Sequence, residues 1–411
     1  MAKRDHIVVG LDIGTTKISA IVAEVTEEDE VNIIGLGLSP SRGLRKGVVV
    51  NIESTVESIK KAVEEAELMA AVQINSVYTG IAGSHISGDN ARGVVALKKQ
   101  EVTRSDVQRA IDSARGVAVL PHDRRVLHVL PREFKVDDQD GIHEPLGMSG
   151  SRLEVDVHII TGAVTSAQNI IKSVNRAGLD VIDIVLQPLA SSVAVLSPEE
   201  RDLGVAMVDL GGGTTDLAIY LEGSIRHTAM LPIGGQHLSA DIAIGLRTPQ
   251  AEAEKIKIKY GAALVELVKD EEMMDVLSVG DRPPRTMSRR HLADIVAPRV
   301  DEMFDLVRRE ITRAGYEGML AAGVVITGGT SMLEGMPDAA ERILDLPVRR
   351  GVPGSMGGLR DIVSNPMHAT GVGLILHACH HVDDLETAGG RSGKRFGRVF
   401  DRMRGWMLEF F

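Results

Sequence analysis

The stretch VAMVDLGGGTTDLAIY, residues 205–220, constrains the fold of this chain more than any other. Two apolar runs flank three glycines and two threonines, which predicts a strand, a tight turn and a second strand. Glycine has no Cβ, so backbone N–H groups in the turn can approach a bound group, and the threonines add hydroxyl donors. The stretch is either a glycine turn joining two core strands or a phosphate-binding turn. The phosphate contacts would then be Gly211, Gly212, Gly213, Thr214 and Thr215.

A second hairpin, at the start of the chain, repeats this arrangement. IVVGLDIG leads through TTK into ISAIVAEV, so DIGTTK matches DLGGGTTD, with Asp12 and Asp209 at corresponding strand ends. The similarity predicts an internal duplication of one supersecondary unit, and two such hairpins could hold a polyphosphate between them. Asp216 takes the place of Lys17 in the second hairpin, so charge favours Lys17 as a phosphate contact. The contacts predicted in the first hairpin are Gly14, Thr15, Thr16 and Lys17.

A third glycine turn occurs in GVVITGGTSMLEGMP. Close backbone approach at Gly328, Gly329 and Thr330 would suit a ribose or a flat ring, the part of a nucleotide that two phosphate turns leave uncovered. Further candidates for contacts with the nucleotide are Gly234, Gly235, Glu252 and Lys255.

Composition limits the class of protein. A chain of 411 residues with 3% aromatic residues predicts two or more domains with aliphatic α/β interiors, and the single Cys excludes an intramolecular disulfide. Asp12 interrupts the first apolar run and no apolar stretch is long enough to cross a bilayer, so we expect a cytoplasmic chain. The net charge of −11 argues against a nucleic-acid partner. Metal binding stays open at His377, Cys379, His380 and His381, where no second ligand pair has the spacing of a known site.

An arginine-rich region lies within residues 236–315. It is either a solvated helix face or a binding site for an acidic peptide. The candidate contacts are Arg285, Arg289, Arg290 and Arg299.

The last segment combines a Gly/Ser-rich linker with an amphipathic helix. Apolar residues recur at steps of three and four, and arginines occupy most of the other face, as expected for a helix lying in the plane of an anionic bilayer. A core-packing helix or a helix that binds a partner protein would show a similar stripe. The predicted apolar contacts are Phe396, Val399, Phe400, Met403, Trp406, Met407, Phe410 and Phe411. The predicted headgroup contacts are Arg395, Arg398 and Arg402.

Five motifs occur in one order: DIGTTK, QPLASSVAVL, DLGGGTTD, ITGGTSMLEGMP and NPMHATGVGLIL. They resemble the first phosphate loop, first connecting helix, second phosphate loop, adenosine loop and second connecting helix of the actin, sugar kinase and heat-shock chaperone ATPase superfamily. Within it, the chain resembles the FtsA family of bacterial cell-division proteins over essentially its whole length, including PSRGLRKGVV and SVGDRPPR.

The resemblance implies an α/β actin-like ATPase fold, with two RNase-H-like domains that close on ATP and Mg²⁺, inserted small subdomains and a C-terminal amphipathic helix. Asp12 and Asp209 would hold the metal through water, and Gln187 would orient the attacking water. The first core subdomain would comprise residues 1–84 and 161–198, with a small subdomain inserted at 85–160. The second would comprise 199–235 and 316–381, with a charged small subdomain at 236–315. Residues 382–393 would form a flexible linker and 394–411 the membrane-targeting helix.

The resemblance also implies a function. FtsA proteins tether filaments of the tubulin-like FtsZ to the cytoplasmic face of the inner membrane at the division site, contact other division proteins and polymerise themselves. The arginine-rich region would bind the FtsZ C-terminal tail. At most a slow ATPase is expected, not a metabolic enzyme. The alternatives are a sugar-kinase-like phosphotransferase, for which no carboxylate base can be placed, and a chaperone ATPase, for which no substrate-binding β domain follows.

Overall fold

The computed structural model describes residues 6–26, 28, 30–118, 121–278, 283–354 and 356–387. They form two compact units. The first contains the described residues up to Ile81, those from Gln168 to Val195 and those from Val352 onward, and the second contains Ala82–Ala167 and Leu196–Gly351. The predicted helix at 394–411 and the linker from 388 lie outside the described residues. The six linker residues before them, 382–387, are helical. The predicted domain boundaries stay predictions.

The strands are β1 His6–Ile13, β2 Lys17–Val25, β3 Val31–Pro40, β4 Leu44–Arg45, β5 Val48–Val49, β6 Ser76–Ile81, β7 Ser87–Ala96, β8 Arg124–Val136, β9 Gln139–Ile142, β10 Arg152–Ala163, β11 Asp180–Leu186, β12 Val205–Leu210, β13 Thr215–Leu221, β14 Ser224–Leu231, β15 Met273–Val276, β16 Arg285–Ser288, β17 Val324–Thr327, β18 Val348–Arg350 and β19 Gly357–Gly358. The helices are α1 Ile52–Ala70, α2 Arg104–Val117, α3 Val164–Arg176, α4 Gln187–Val195, α5 Pro198–Leu203, α6 Gly235–Leu246, α7 Gln250–Tyr260, α8 Arg289–Ala314, α9 Met336–Leu344, α10 Arg360–Val363 and α11 Ala369–Thr387. No helix among the described residues is both long and apolar enough to cross a bilayer.

The first unit is built on a sheet in the order β11-β6-β1-β2-β3-β19. Strands β1, β2 and β3 are antiparallel, whereas β6 and β11 run parallel to β1. Glycines let helices approach this sheet and one another closely. A Cβ at Gly37 of β3 would lie 1.8 Å from the carbonyl oxygen of Ala62 in α1, and one at Gly373 of α11 would lie 1.8 Å from that of Ala190 in α4. The absence of a side chain at Gly373 therefore lets α11 pack directly on α4.

The second unit contains a sheet in the order β14-β13-β12-β17-β18. Its first three strands are again antiparallel, and β17 and β18 again run parallel to the central strand β12. This order repeats that of the first sheet for every strand except β19, so the predicted duplication is confirmed. All six residues of β12 are buried, and α6, α8 and α9 supply much of the core around them.

A four-stranded sheet, β7-β10-β8-β9, and helix α2 form the inserted part of the second unit. Alternate residues of β10 are buried in the core that this sheet forms with α2. The helix lies directly on the sheet, because a Cβ at Gly93 of β7 would be only 2.0 Å from the carbonyl oxygen of Ala110 in α2. The inserted sheet is fastened to β14. Ser224 Oγ donates to the carbonyl oxygen of Arg132 over 2.8 Å, and His158 Nε2 lies 3.0 Å from Thr228 Oγ1.

Candidate functional site

The first glycine turn joins β1 to β2. Asp12 lies opposite Ser19 in the register of the two strands, and the chain then turns at Gly14. The N–H of Gly14 donates to the carbonyl oxygen of Lys17 over 3.0 Å. A Cβ at Gly14 would lie 2.9 Å from that oxygen, so any side chain here would open the turn. Close approach of the backbone therefore requires this glycine.

Three polar side chains meet at the end of β1. The carboxylate of Asp12 is buried, its Oδ1 accepts a hydrogen bond from Gln187 Nε2 over 3.2 Å, and Lys17 Nζ lies 3.5 Å from its Oδ2. Burial raises the pKa of Asp12 above its usual range, and the ammonium of Lys17 partly offsets that effect. Lys17 Nζ is itself buried and has no well-aligned hydrogen-bond acceptor in the part of the chain that the structure describes. A buried ammonium in this situation is suited to bind an anionic ligand.

A neutral imidazole stands near Lys17. His368 is 3% exposed and ends the short 3-10 helix Pro366–His368, just before α11. Burial, and to a smaller extent the charge of Lys17, lower the pKa of His368 to about 4. The side chain is therefore uncharged at neutral pH and does not repel the lysine. Sequence reasoning missed His368, because a single histidine in a loop has no spacing that distinguishes it.

The second glycine turn joins β12 to β13 and has the same backbone geometry. The N–H of Gly211 donates to the carbonyl oxygen of Thr214 over 3.0 Å, as Gly14 does to Lys17, and Asp209 lies opposite Asp216. Thr214 is therefore the counterpart of Lys17, and Asp216 is the counterpart of Ser19. The prediction that Asp216 occupies the position of Lys17 is wrong. It matched the Thr-Thr pair of one hairpin with that of the other, whereas the strand register shifts the correspondence by two residues.

The N-terminus of α6 packs on the second turn. The N–H of Gly235 donates to the carbonyl oxygen of Gly211 over 3.0 Å, and that of Gln236 donates to the carbonyl oxygen of Gly212 over 2.7 Å. A Cβ at Gly234 would lie 2.7 Å from the carbonyl oxygen of Gly211. Thr330 Oγ1 donates to the same oxygen over 2.9 Å. The structure thus brings together five predicted positions from three separate parts of the chain.

The third glycine turn lies against the end of β12. Gly328 has a φ of +82°, and a Cβ there would lie 2.3 Å from Asp209 Oδ1. Only glycine meets both the backbone conformation and the space. Gly329 then begins the 3-10 helix Gly329–Met332. At this turn, the group that the backbone approaches closely is the carboxylate of Asp209.

Helix α7 carries two Glu–Lys pairs at the same spacing. In the predicted pair, Lys255 is exposed and its Nζ lies 3.2 Å from Glu252 Oε2. In the other, Lys257 is buried, and its Nζ donates to Glu254 Oε2 over 2.8 Å and to the carbonyl oxygen of Gly235 over 3.0 Å. The structure therefore favours Glu254 and Lys257 over the predicted pair, since the two pairs point to different sides of the helix. Spacing alone could not decide between them.

The four predicted arginines differ in their surroundings. Arg289 is largely buried, with Nη1 2.7 Å from Glu272 Oε2 and a second ion pair to Glu334. Arg299 binds both carboxylate oxygens of Asp241, over 2.6 and 3.0 Å. The ion pairs of Arg289 and Arg299 therefore stabilise the fold. The other two are exposed: Arg285 bonds to the carbonyl oxygen of Leu246, and Arg290 pairs with Asp270 over 2.8 Å.

Further along α8, basic side chains surround a groove of about 430 Å³. Arg308 pairs with Asp305 over 2.6 Å, and Arg313 pairs with Glu310 at the same distance. The groove is lined by Arg308, Arg309, Thr312, Arg313 and Glu317.

No cluster of three or more His, Cys, Asp or Glu side chains suited to a metal occurs among the described residues.

Two family models match the chain. The model described as cell division protein FtsA matches residues 206–373, and the model described as an SHS2 domain inserted in FtsA matches residues 83–161. A cell division protein FtsA from Pseudomonas aeruginosa is 50% identical over 405 residues, which cover 97% of this chain and 97% of the relative. The chain belongs to the FtsA family of cell division proteins. An FtsA from Neisseria meningitidis serogroup B is 45% identical over 415 residues, covering 100% of both chains.

Solved structures share the fold. A chain of the PilM-PilN type IV pilus biogenesis complex matches with a TM-score of 0.66 at 16% identity, covering 90% of this chain and 98% of that chain. MreB 5 of Spiroplasma citri bound to AMPPNP matches with a TM-score of 0.56 at 14% identity, covering 94% of this chain and 100% of that chain. With the duplicated sheets, these matches confirm the predicted α/β actin-like ATPase fold of this FtsA family member.

Proposed function

We propose that this FtsA family member binds ATP with Mg²⁺ through its glycine turns. The observation that carries the proposal is the end of β1, where Lys17 Nζ is buried without a well-aligned acceptor among the described residues, 3.5 Å from Asp12. A phosphate oxygen would supply the missing acceptor. MreB 5 in its AMPPNP complex shares the fold, which supports the same choice of ligand.

The residues present fit the metal as well. Mg²⁺ prefers oxygen ligands, keeps several waters and is usually held by one or two carboxylates. Asp12 and Asp209 are both buried carboxylates at the ends of corresponding strands. We propose that each holds the ion through water and that the ion, when bound, neutralises phosphate charge. Gln187, fixed by its bond to Asp12, would orient an attacking water in slow hydrolysis.

The remaining nucleotide contacts follow from the turns. We propose that Thr15 and Thr16 in the first turn and Gly211 to Thr215 in the second bind the phosphates. The third turn, with Gly234 and Gly235 at the start of α6, binds the adenosine. Lys257 and Glu254 join this group, because Lys257 Nζ contacts the carbonyl oxygen of Gly235.

Calorimetric titration with ATP and Mg²⁺ tests the nucleotide proposal. Asp209→Asn combined with Gly212→Asp should abolish binding, because the first change removes a carboxylate and the second places a negative charge in the phosphate turn. Gly116→Asp is the control, since Gly116 lies near the end of α2 and a Cβ there would meet nothing within 4 Å. Unchanged affinity in the double variant would refute the assignment.

We further propose that the protein tethers FtsZ filaments to the cytoplasmic face of the inner membrane at the division site and polymerises while doing so. The charged region around α8 supports the FtsZ contact, because Arg285 and Arg290 are exposed there and the groove beyond them is lined by further arginines. An acidic tail peptide would find guanidinium groups suited to bidentate carboxylate binding. Contacts with other division proteins would follow from this location.

Fluorescence anisotropy with a labelled FtsZ tail peptide tests the tether. Arg290→Glu should weaken binding about three- to tenfold, since it reverses one exposed charge. Arg176→Glu is the control, because the Arg176 side chain is 46% exposed and pairs with Glu53, much as the Arg290 side chain is 49% exposed and pairs with Asp270. Equal loss in both variants would indicate a general charge effect and contradict a local site.

The membrane contact is proposed from the sequence of residues 394–411, which lie outside the described residues. Co-sedimentation with anionic vesicles should pellet the full chain and leave a chain that ends at Gly393 in the supernatant. Polymerisation is measured separately, by sedimentation with ATP and Mg²⁺ in the absence of vesicles. Equal pelleting of the two chains with vesicles would exclude the terminal anchor.

A further inference from the structure

The side chain of Gln187 reaches Asp12 across an intervening strand. Gln187 directly follows β11, and Asp12 lies in β1, but the sheet order places β6 between these strands. Thr79 of β6 pairs with Leu11 on one side and with Ile184 on the other. The next residue of β6, Gly80, is therefore level with Asp12 and lies beneath the path of the glutamine side chain.

Gly80 leaves this path open because it has no side chain. A Cβ at Gly80 would lie 2.8 Å from Gln187 Cγ and 3.1 Å from Gln187 Nε2. The first distance is shorter than real Cβ contacts, so the glutamine would have to move. Gln187 is 8% exposed and Asp12 is 6% exposed, so little free space surrounds either side chain.

The bond to Asp12 also fixes which way the amide faces. The NH₂ group of Gln187 faces Asp12, because its Nε2 donates to Asp12 Oδ1. The amide oxygen then points away from the carboxylate, as an acceptor. A water molecule that donates to this oxygen would present a lone pair in a fixed direction, as an attacking nucleophile requires.

We propose that Gly80 is a positioning residue, whose missing side chain lets Gln187 cross β6 and be oriented by Asp12 for hydrolysis of the bound nucleotide. This inference rests on the proposed ATP site. Gly80 acts only through Gln187. It contributes nothing to binding of the nucleotide itself, which distinguishes it from the glycines of the three turns.

Four variants of the full chain test the proposal: Gly80→Ala, Gln187→Ala, the two combined, and Gly116→Ala as a control. A Cβ at Gly116 would meet nothing within 4 Å. For each we would measure ATP affinity by calorimetry, turnover at saturating ATP, and the thermal unfolding temperature. Gly80→Ala should lower turnover about tenfold to a hundredfold, because a displaced catalytic group loses its alignment. Its ATP affinity should stay within about threefold of the parent, since no nucleotide contact is removed.

The combined variant separates positioning from a general effect on folding. Alanine at 187 has neither the Cγ nor the Nε2 that the new Cβ would strike, so Gly80→Ala should cost neither turnover nor unfolding temperature in that background. If Gly80→Ala alone fails to fold, recovery of folding in the combined variant supports the contact. Equal cost of Gly80→Ala in both backgrounds, or parental turnover in Gly80→Ala, overturns the proposal. If the parent binds ATP but does not turn it over, the hydrolytic role of both residues is refuted, while unfolding temperatures still decide the contact.

Discussion

We predict that the buried imidazole of His158 makes the stability of the protein depend on pH. His158 is 1% exposed, and its Nδ1 lies 2.8 Å from Asn90 Oδ1 while its Nε2 lies 3.0 Å from Thr228 Oγ1 on β14. An amide oxygen only accepts, so Nδ1 carries the proton and Nε2 accepts from the threonine hydroxyl. Burial lowers the pKa of His158 to about 3, and the nearby His227 and Arg132 act in the same direction.

The sign and size of the effect follow from linkage. The ordinary pKa of histidine, 6.5, applies to the unfolded chain, so below that pH the unfolded chain binds a proton that the folded chain does not. Stability therefore falls as the pH drops from 6.5 towards 3. A pH of 5 lies about 1.5 pH units below the pKa of histidine in the unfolded chain, so about 2 kcal/mol of unfolding free energy is lost through this residue at that pH.

Urea denaturation followed by circular dichroism at pH 7 and pH 5 tests this. The parent should lose about 2 kcal/mol more between the two pH values than His158→Gln, which cannot titrate. His143→Gln is the control, because His143 is exposed in the same inserted part, and it should behave like the parent. An equal loss in His158→Gln and the parent would refute the assignment of a buried neutral imidazole.

Three further predictions concern the proposed nucleotide site. Lys17→Met should weaken ATP binding about tenfold or more, whereas Thr214→Ala at the corresponding position of the second turn should weaken it less, because only the first loses a charge-assisted bond; calorimetry showing the reverse order would contradict the equivalence. Gly328→Ala should destabilise the protein by about 2 kcal/mol, since it combines a strained φ with a Cβ 2.3 Å from Asp209 Oδ1, and unchanged thermal unfolding would disprove that closeness. Lys257→Met should cost about 2 kcal/mol in urea denaturation because it removes the three hydrogen bonds that the buried ammonium donates; a neutral result would mean that water replaces the ammonium.

Features set by local sequence could be predicted. The two hairpins follow from apolar runs on either side of glycine, and the duplication follows from Asp12 and Asp209 at the ends of those runs. Helix α1 follows from its apolar spacing and begins where the side chain of Asn51 accepts a hydrogen bond from the Ser54 N–H. Each of these depends on residues a few positions apart, so the sequence alone contains the needed information.

Contacts that depend on which face of a helix is buried, or on which strands are neighbours in a sheet, could not be predicted from the sequence. Lys255 and Lys257 are two positions apart with equivalent glutamates, and only the packing of α7 turns Lys257 towards Gly235. Gly80 looks like any strand glycine until the sheet order places it between Gln187 and Asp12. These assignments need the three-dimensional neighbours of each residue, which a spacing pattern does not supply.

The corrected register changes how the first and second glycine turns are compared. Duplication has kept the backbone of both turns, down to the bond from Gly14 to Lys17 and its equivalent from Gly211 to Thr214. It has not kept the charge, because a lysine in one turn corresponds to a threonine in the other. The second turn instead has the N-terminus of α6 packed on it, where backbone N–H groups carry partial positive charge. In the proposed nucleotide site, the first turn would therefore meet phosphate through a side-chain charge and the second turn through backbone dipoles.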